Sequence, residues 1–258
     1  MTRINELGRR YLPFLRWSTI RMAFSIRRMT EQGQVGDGRE AALADYVERH
    51  ARAGDLAHVI ATVDEYCYRR SIMMNIGDEK GEILDRAVVR AAPRRALELG
   101  TYCGYSALRI VQMMPADGHL WTIELLQDNA DIAKRIWKHA GISERVTVLT
   151  GTFSDGETIE RLQREHGFAE ESVDFVFLDH HKDHYVEDLQ HIVSRGWLRP
   201  GAVVVADNVG VPGIPEYRAY MKEHEGGIWS TIEHQTHVEY QRLLKDLVLE
   251  SSYQPAVG

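Results

Sequence analysis

The chain has 258 residues, 44% of them hydrophobic and 27% charged, with a formal net charge of −7. That length supports one large domain or one domain with an extension, and the acidic balance argues against nucleic acid as a partner. No apolar run approaches bilayer length, no uninterrupted apolar segment marks a secretory signal, and Cys67 and Cys103 are too few for a disulfide framework, so a reducing cytoplasm is the expected setting.

Residues 1–38 read as an arginine-rich N-terminal arm. Arg9, Arg10, Arg16, Arg21, Arg27 and Arg28 flank a helical stripe of Tyr11, Leu15, Met22 and Ile26. Pro13 kinks or starts any helix there. The arm is either a membrane-surface helix or a packing arm that docks on its own domain or on a second subunit. The narrow stripe, interrupted by Ser18 and Ser25, favours the packing arm, which allows a homo-oligomer or a peripheral contact. Gln32 to Gly38 forms a glycine-rich loop and a candidate boundary, so the main domain is read as residues 39–258.

From Arg39 to about Arg70 the pattern is helical. Ala41, Leu43, Tyr46 and Val47 make one apolar face, and Val59, Ile60, Val63 and Tyr66 make the next. Short apolar runs then alternate with helical stretches: Ala96–Leu99, His119–Glu124, Val146–Thr150, Val173–Leu178 and Ala202–Ala206. Each run has the length of a buried strand, and each gap holds a crossover helix. This is an α/β pattern, an open and mostly parallel doubly wound sheet with helices on both faces. The tail carries strand-like Trp229–Glu233, Val238–Leu243 and Leu247–Tyr253, read as antiparallel strands at the sheet edge, with a turn at Lys245-Asp246.

The segment from Leu97 to Ala107 follows the first strand and opens a helix. Gly100 and Gly104 are expected to let the backbone come close to a ligand at the strand's carboxyl end. The spacing is Gly-x-x-x-Gly with Tyr102 inside, not the Gly-x-Gly-x-x-Gly of dinucleotide binders. A nucleoside ligand without phosphates therefore fits better than a nicotinamide cofactor. Glu124, about twenty residues beyond the glycine loop, ends the second strand, where a carboxylate can accept hydrogen bonds from both ribose hydroxyls.

Two further strands end in acids. Val173–Leu178 leads into Asp179-His180-His181-Lys182-Asp183, and Ala202–Ala206 leads into Asp207-Asn208. Both clusters fall at the carboxyl edge of adjacent strands, where α/β folds place ligands. Two carboxylates and an amide oxygen are hard ligands that suit magnesium with positions left for substrate oxygens. Each cluster could also be a helix N-cap, but two on neighbouring strands weaken that account. Zinc at His180, His181 and His184 is disfavoured, because no thiolate accompanies them. Lys182 stands three residues after Asp179. A lysine beside a cation can serve as base for a phenol.

Taken together, these stretches resemble the catechol O-methyltransferase family. They are Met74-Asn75-Ile76-Gly77-Asp78-Glu79-Lys80-Gly81, Leu97 to Ala107, Phe177 to Asp183, Ala206-Asp207-Asn208 with Val211-Pro212-Gly213, and Val238-Glu239-Tyr240, in family order from about residue 39 to the C-terminus. The resemblance implies a Rossmann-like sheet of seven strands and methyl transfer from S-adenosylmethionine to one hydroxyl of a small-molecule catechol, with Mg2+. It implies Asp179, Asp207 and Asn208 as metal ligands and Lys182 as general base, with Asn208 and Glu239 also in the catalytic set. Glu239 accepts the other catechol hydroxyl. On the cofactor it implies Met74, Ile76, Glu98, Gly100, Tyr102, Ser106, Glu124, Leu125, Ser154, Asp179 and His181, and around the acceptor Ile72, Asp179, Lys182, Asn208, Pro212 and Glu239.

Departures from the family pattern fall in Gly151-Thr152-Phe153-Ser154-Asp155, which keeps the glycine and the final aspartate but differs between them, with Ser154 the expected adenine contact, and at two tryptophan positions. Mammalian members carry tryptophan where this chain has His181, and another as a gate over the slot where it has Ile72. The smaller gate admits a bulkier vicinal-diol phenol or natural product. Competing readings are a nicotinamide oxidoreductase, opposed by the glycine spacing, and a silent binding protein, opposed by the intact set of Asp179, Lys182, Asp207, Asn208 and Glu239.

Overall fold

A computed structural model of the protein describes residues 34–255. The arginines and the apolar stripe of the arm lie outside the described residues. Two helices come first, α1 (Arg39–His50) and α2 (Leu56–Arg69), followed by α3 (Gly77–Ala91). The alternating part then runs β1 (Arg95–Leu99), α4 (Tyr105–Met113), β2 (His119–Glu124), α5 (Gln127–Ala140), β3 (Val146–Thr150), α6 (Glu157–His166), β4 (Val173–Leu178), α7 (Tyr185–Ser194), β5 (Leu198–Ala206) and α8 (Pro215–Glu223). Two long strands finish it, β6 (Trp229–His237) and β7 (Lys245–Tyr253). Among the described residues no helix is long and apolar enough to cross a membrane.

The seven strands form one sheet in the order β3-β2-β1-β4-β5-β7-β6. The first five run parallel, and β7 runs antiparallel to both β5 and β6. Strand residues alternate between the two faces. Phe175 and Phe177 join a core with α1 to α5, in which Leu43, Val63, Leu84, Leu108 and Trp137 are buried. Val176 and Leu178 join the opposite core with Leu162, Leu189 and Tyr217 from α6, α7 and α8. Burial on both faces explains why β1, β4 and β5 read as mostly apolar runs.

The register decides where the chemistry falls. Leu99 pairs with Leu178, and Leu178 with Ala206. The next residues along each strand, Gly100, Asp179 and Asp207, therefore emerge side by side at one sheet edge. Ladder-like bonds continue past the strand ends, with Asp179 N–H donating to Leu99 O at 2.9 Å and Asp207 N–H to Leu178 O at 3.0 Å.

Three local readings need correction. Ala41 is exposed and Ala44 takes its place on the buried face of α1. Val238–Leu243 is not a strand but the β6–β7 connection. Gln241 folds it, accepting the N–H groups of Leu243 at 2.6 Å and Leu244 at 2.8 Å while donating to Val238 O at 2.9 Å. A side chain that mimics backbone partners in this way competes with the ladder, whatever the apolar alternation suggests. Lys245-Asp246 is consequently no turn: it begins β7, with Asp246 paired to Thr236.

Candidate active site

The cofactor side is built on β1 and β2. Gly100 has φ +101°, and a Cβ there would stand 2.3 Å from the Asp179 carbonyl oxygen. Gly104 has φ +79°, and its Cβ would meet the Trp137 indole at 2.5 Å. Both glycines are thus required by protein packing as well as by their positive φ. What the loop does present is backbone. Tyr102 N–H donates to Glu124 Oε2 at 2.7 Å, while Leu126 N–H and Asn129 Nδ2 donate to Glu124 Oε1, each at 3.0 Å. Glu124 is held by neutral donors at the strand tip. Burial raises its pKa, and these hydrogen bonds oppose the rise.

Beneath this loop, Glu98 is fully buried on β1. Thr122 Oγ1 donates to its Oε2 at 2.5 Å, and Ser106, at the start of α4, also bonds it. Its Oε1 has no partner, and burial pushes its pKa up to about 8. An orphaned, buried carboxylate oxygen costs free energy until a donor reaches it. An ammonium such as the one on a methionine moiety is such a donor, so the residues present fit an amino-acid-bearing nucleoside.

The acceptor side gathers at the ends of β4 and β5 and in the β6–β7 connection. Lys182 Nζ donates to Asp179 Oδ1 at 2.9 Å and to the Tyr185 hydroxyl at 2.7 Å. Tyr185 donates in turn to Leu178 O at 2.9 Å and contacts Asp207 O at 3.3 Å. Asn208 adopts φ +55°, a left-handed conformation that asparagine tolerates. Its N–H donates to Asp207 Oδ1 at 2.7 Å, and its Nδ2 donates to Glu239 Oε1 and Asp246 Oδ2, each at 3.1 Å. One continuous hydrogen-bonded chain therefore joins Asp179, Lys182, Tyr185, Asp207, Asn208 and Glu239.

At its base lies Lys80, from the first turn of α3. Its side chain is fully buried, and its ammonium contacts Asp207 Oδ2 at 2.8 Å, Asp246 Oδ2 at 3.0 Å and Glu239 Oε1. Burial alone would lower the lysine's pKa, but Asp207, Glu239 and Asp246 hold it well above the ordinary range. Burial pushes Asp207 the other way, upward, with Asp179 and Glu239 acting in the same sense and the two lysines against it.

This arrangement bears on the metal. When ionised, the four carboxylates of Asp179, Asp207, Glu239 and Asp246 face two ammonium groups, a surplus of two negative charges that a divalent cation would neutralise. Because the Asn208 nitrogen is taken by carboxylates, its oxygen is the end left for a cation. The donor set is hard and anionic, so it fits magnesium. Among the described residues no trio of His, Cys, Asp or Glu is arranged as a metal site. The expected set is not such a trio, because its third member is the amide of Asn208.

Other expected residues sit less directly. Ser154 donates its hydroxyl to Asp188 Oδ1 at 2.7 Å, and His180 Nε2 pairs with Asp188 Oδ2 at 2.8 Å. It is His180 that is enclosed here, its ring stacked on Tyr185 at 4.9 Å, whereas the His181 side chain is 51% exposed. Leu125 is 53% exposed. The Tyr102 side chain turns away toward α1 and donates to Glu40 at 2.8 Å. Ile72 is buried, and its carbonyl accepts Arg39 Nη1 at 2.6 Å. Met74 is half-buried before α3, where Ile76 lies in the core, and Pro212 is exposed after β5.

Lys80, Asp246, Asp188 and Tyr185 carry the site's hydrogen bonding, yet no functional role could be read for them in the chain. Lys80 had a signal, its place inside the Met74–Gly81 motif. Asp246 had none, since nothing in the sequence brings it beside Asp207.

Comparison with known proteins agrees with this geometry. A family model described as O-methyltransferase matches residues 51–218. The protein named "Probable O-methyltransferase Rv1703c" of Mycobacterium tuberculosis is 56% identical over 233 residues, covering 90% of this chain and 99% of that protein. Catechol O-methyltransferase B of Danio rerio is 42% identical, covering 79% of this chain and 75% of its own length. Among solved structures, the O-methyltransferase of Bacillus cereus in complex with SAH superposes with a TM-score of 0.61 at 22% identity, covering 83% of this chain and 97% of that one. A Rossmann-like sheet with this edge of acids, in a chain so related, is an S-adenosylmethionine-dependent O-methyltransferase, and the chain belongs to the catechol O-methyltransferase family.

Proposed function

We propose that the protein transfers a methyl group from S-adenosylmethionine to one hydroxyl of a catechol, with magnesium required and Lys182 as the general base. The observation that carries this reading is the hydrogen-bonded chain from Asp179 through Lys182, Tyr185, Asp207 and Asn208 to Glu239, with its surplus of two negative charges. Bound at Asp179, Asp207 and Asn208, magnesium would supply Lewis acidity toward the two catechol oxygens. Lys182 lies within reach of the same edge; once its ammonium has released a proton to solvent, the neutral amine takes the proton from the attacking hydroxyl. Tyr185 and Asp179 restrict its rotation, so the amine stays aimed. Glu239 has Oε1 occupied by Lys80 and Asn208, which leaves Oε2 to accept from the second hydroxyl. Glu124 and Glu98 hold the ribose and amino-acid ends of the donor, with Ser106 beside them. Met74, Ile76 and the backbone at Gly100 and Tyr102 border it, and Ser154, Leu125 and His181 flank the adenine end. Methyl transfer is an in-line displacement, so such positioning is the main task.

The test is methyl transfer to a catechol and to its monohydroxy counterpart, with magnesium and with chelator. Turnover of the catechol with magnesium alone is expected. Equal rates in chelator remove the metal, and equal rates on the monohydroxy compound remove the catechol.

One observation favours a larger vicinal-diol phenol as acceptor. A cleft of about 320 Å³ shares Ile76 and Glu239 with the site and is further lined by Tyr68, His237 and Tyr240. Together with Ile72 in place of a flat gate and the exposed Pro212 wall, it gives a substituent room. A higher kcat/KM for substituted catechols than for catechol itself is the expected sign.

A further inference from the structure

Magnesium bound at Asp179, Asp207 and Asn208 leaves the buried Lys80 without a role. On the basis of that magnesium reading, we propose that Lys80 sets the ion selectivity of the site. By holding one oxygen of Asp207 in a fixed ammonium contact, it limits that carboxylate to a single metal-facing oxygen and so favours a small octahedral divalent cation over a large one.

The geometry is over-determined. An ammonium has three N–H donors, and Lys80 spends them on Asp207 Oδ2 at 2.8 Å, Asp246 Oδ2 at 3.0 Å and Glu239 Oε1. The side chain is fully buried, so water does not compete for these contacts. Asp207 is buried too, and its other oxygen, Oδ1, faces the Asn208 N–H at 2.7 Å. A cation chelated by both Asp207 oxygens would share Oδ2 with the ammonium. Two cations on one desolvated oxygen repel strongly at that range. Asp207 therefore offers one oxygen. Asp246 cannot rotate to add another, because its Oδ1 accepts Val211 N–H at 2.8 Å, Gly210 N–H at 3.2 Å and Leu247 N–H at 2.7 Å.

Calcium prefers about six to eight oxygens and takes carboxylates in bidentate fashion, whereas magnesium demands a compact octahedron and keeps waters. A site whose carboxylates are held to one oxygen each matches the second demand. Were Lys80 only a structural tie, its loss would weaken the two ions alike and leave their ratio unmoved.

The experiment is calorimetric titration of the full chain, saturated with S-adenosylhomocysteine, with MgCl2 and with CaCl2. Wild type is expected to bind magnesium more tightly. In Lys80→Met the ratio of calcium to magnesium dissociation constants falls by about tenfold or more. Lys80→Met leaves three carboxylates facing one another, so Lys80→Met/Asp246→Asn, which removes one of those charges, serves where the single variant does not fold, and the same fall is expected. Asp246→Asn alone keeps the ammonium on Asp207 and retains the wild-type ratio. An unchanged ratio without Lys80, or an equal fall in Asp246→Asn, overturns the inference and leaves the magnesium reading standing. A wild type that binds neither ion removes that reading and the inference with it.

Discussion

The two halves of the site differ in the charge of the donors that meet their carboxylates. On the cofactor side, Glu124 takes two backbone N–H groups and an amide, and Glu98 takes two hydroxyls. On the acceptor side, Asp179 takes Lys182, while Asp207, Glu239 and Asp246 take Lys80. Neutral donors fix position without fixing charge, so the first half is shaped before its ligand arrives. Ammonium groups fix charge as well, and here two of them face four carboxylates. One sheet edge thus holds two anionic clusters that differ in one respect: neutral donors alone meet the first, whereas the second adds two ammonium groups to its neutral donors.

That separation can be broken at several points. The largest effect is expected for Lys182→Ala, which loses about 10²–10⁴ in kcat, the range for removal of a general base. Its affinity for S-adenosylhomocysteine stays within about twofold, since the cofactor donors are untouched. Turnover close to wild type would remove Lys182 from the chemistry, and lost cofactor affinity would show that the halves are coupled. Glu124→Ala comes next. It orphans three donors and is expected to weaken S-adenosylhomocysteine by about 10–100-fold while magnesium affinity moves by no more than about twofold. Parallel calorimetry with both ligands reads the two sides separately.

The smallest effect sharpens the contrast through pH. Glu98 has its pKa raised by burial to about 8 from an ordinary 4.5. The folded protein keeps a proton that the unfolded chain releases, so the associated stability is present in full below the lower value and is lost as pH rises through the higher one. The melting temperature of ligand-free wild type should fall over that window, and Glu98→Gln should remove that part of the fall. Equal slopes in thermal unfolding across pH would rule out Glu98 as the group responsible.

Much of this was legible in the chain because strand length and strand burial coincide. The runs His119–Glu124, Val146–Thr150 and Val173–Leu178 occupy their observed strands end to end, since most of their residues are apolar and join the cores on the two faces of the sheet. The acids after β4 and β5 were legible for a related reason, as residues just past parallel strands in register must surface together. What escaped depends on contacts between distant positions. Lys80 meets Asp207 across 127 residues and Asp246 across 166. Periodicity carries no information about such pairs. The β6–β7 connection escaped because Gln241 imitates a ladder with its own side chain, and the enclosure of His180 rather than His181 escaped because spacing does not say which of two adjacent histidines Asp188 will hold.

The sheet order carries a consequence in time. The last strand in the chain, β7, is not at the edge but lies between β5 and β6, and it brings Asp246 to Lys80. During synthesis the cofactor half, from β1 to β3 with α4 and α5, has all its strands long before residue 245 emerges, whereas β5 waits with an open flank and Lys80 lacks one of its three anions. The flank of β5 is therefore closed only when β7 pairs with it. A chain that ends before β7 would leave β5 with an unpaired edge, the kind of surface that invites pairing with another chain.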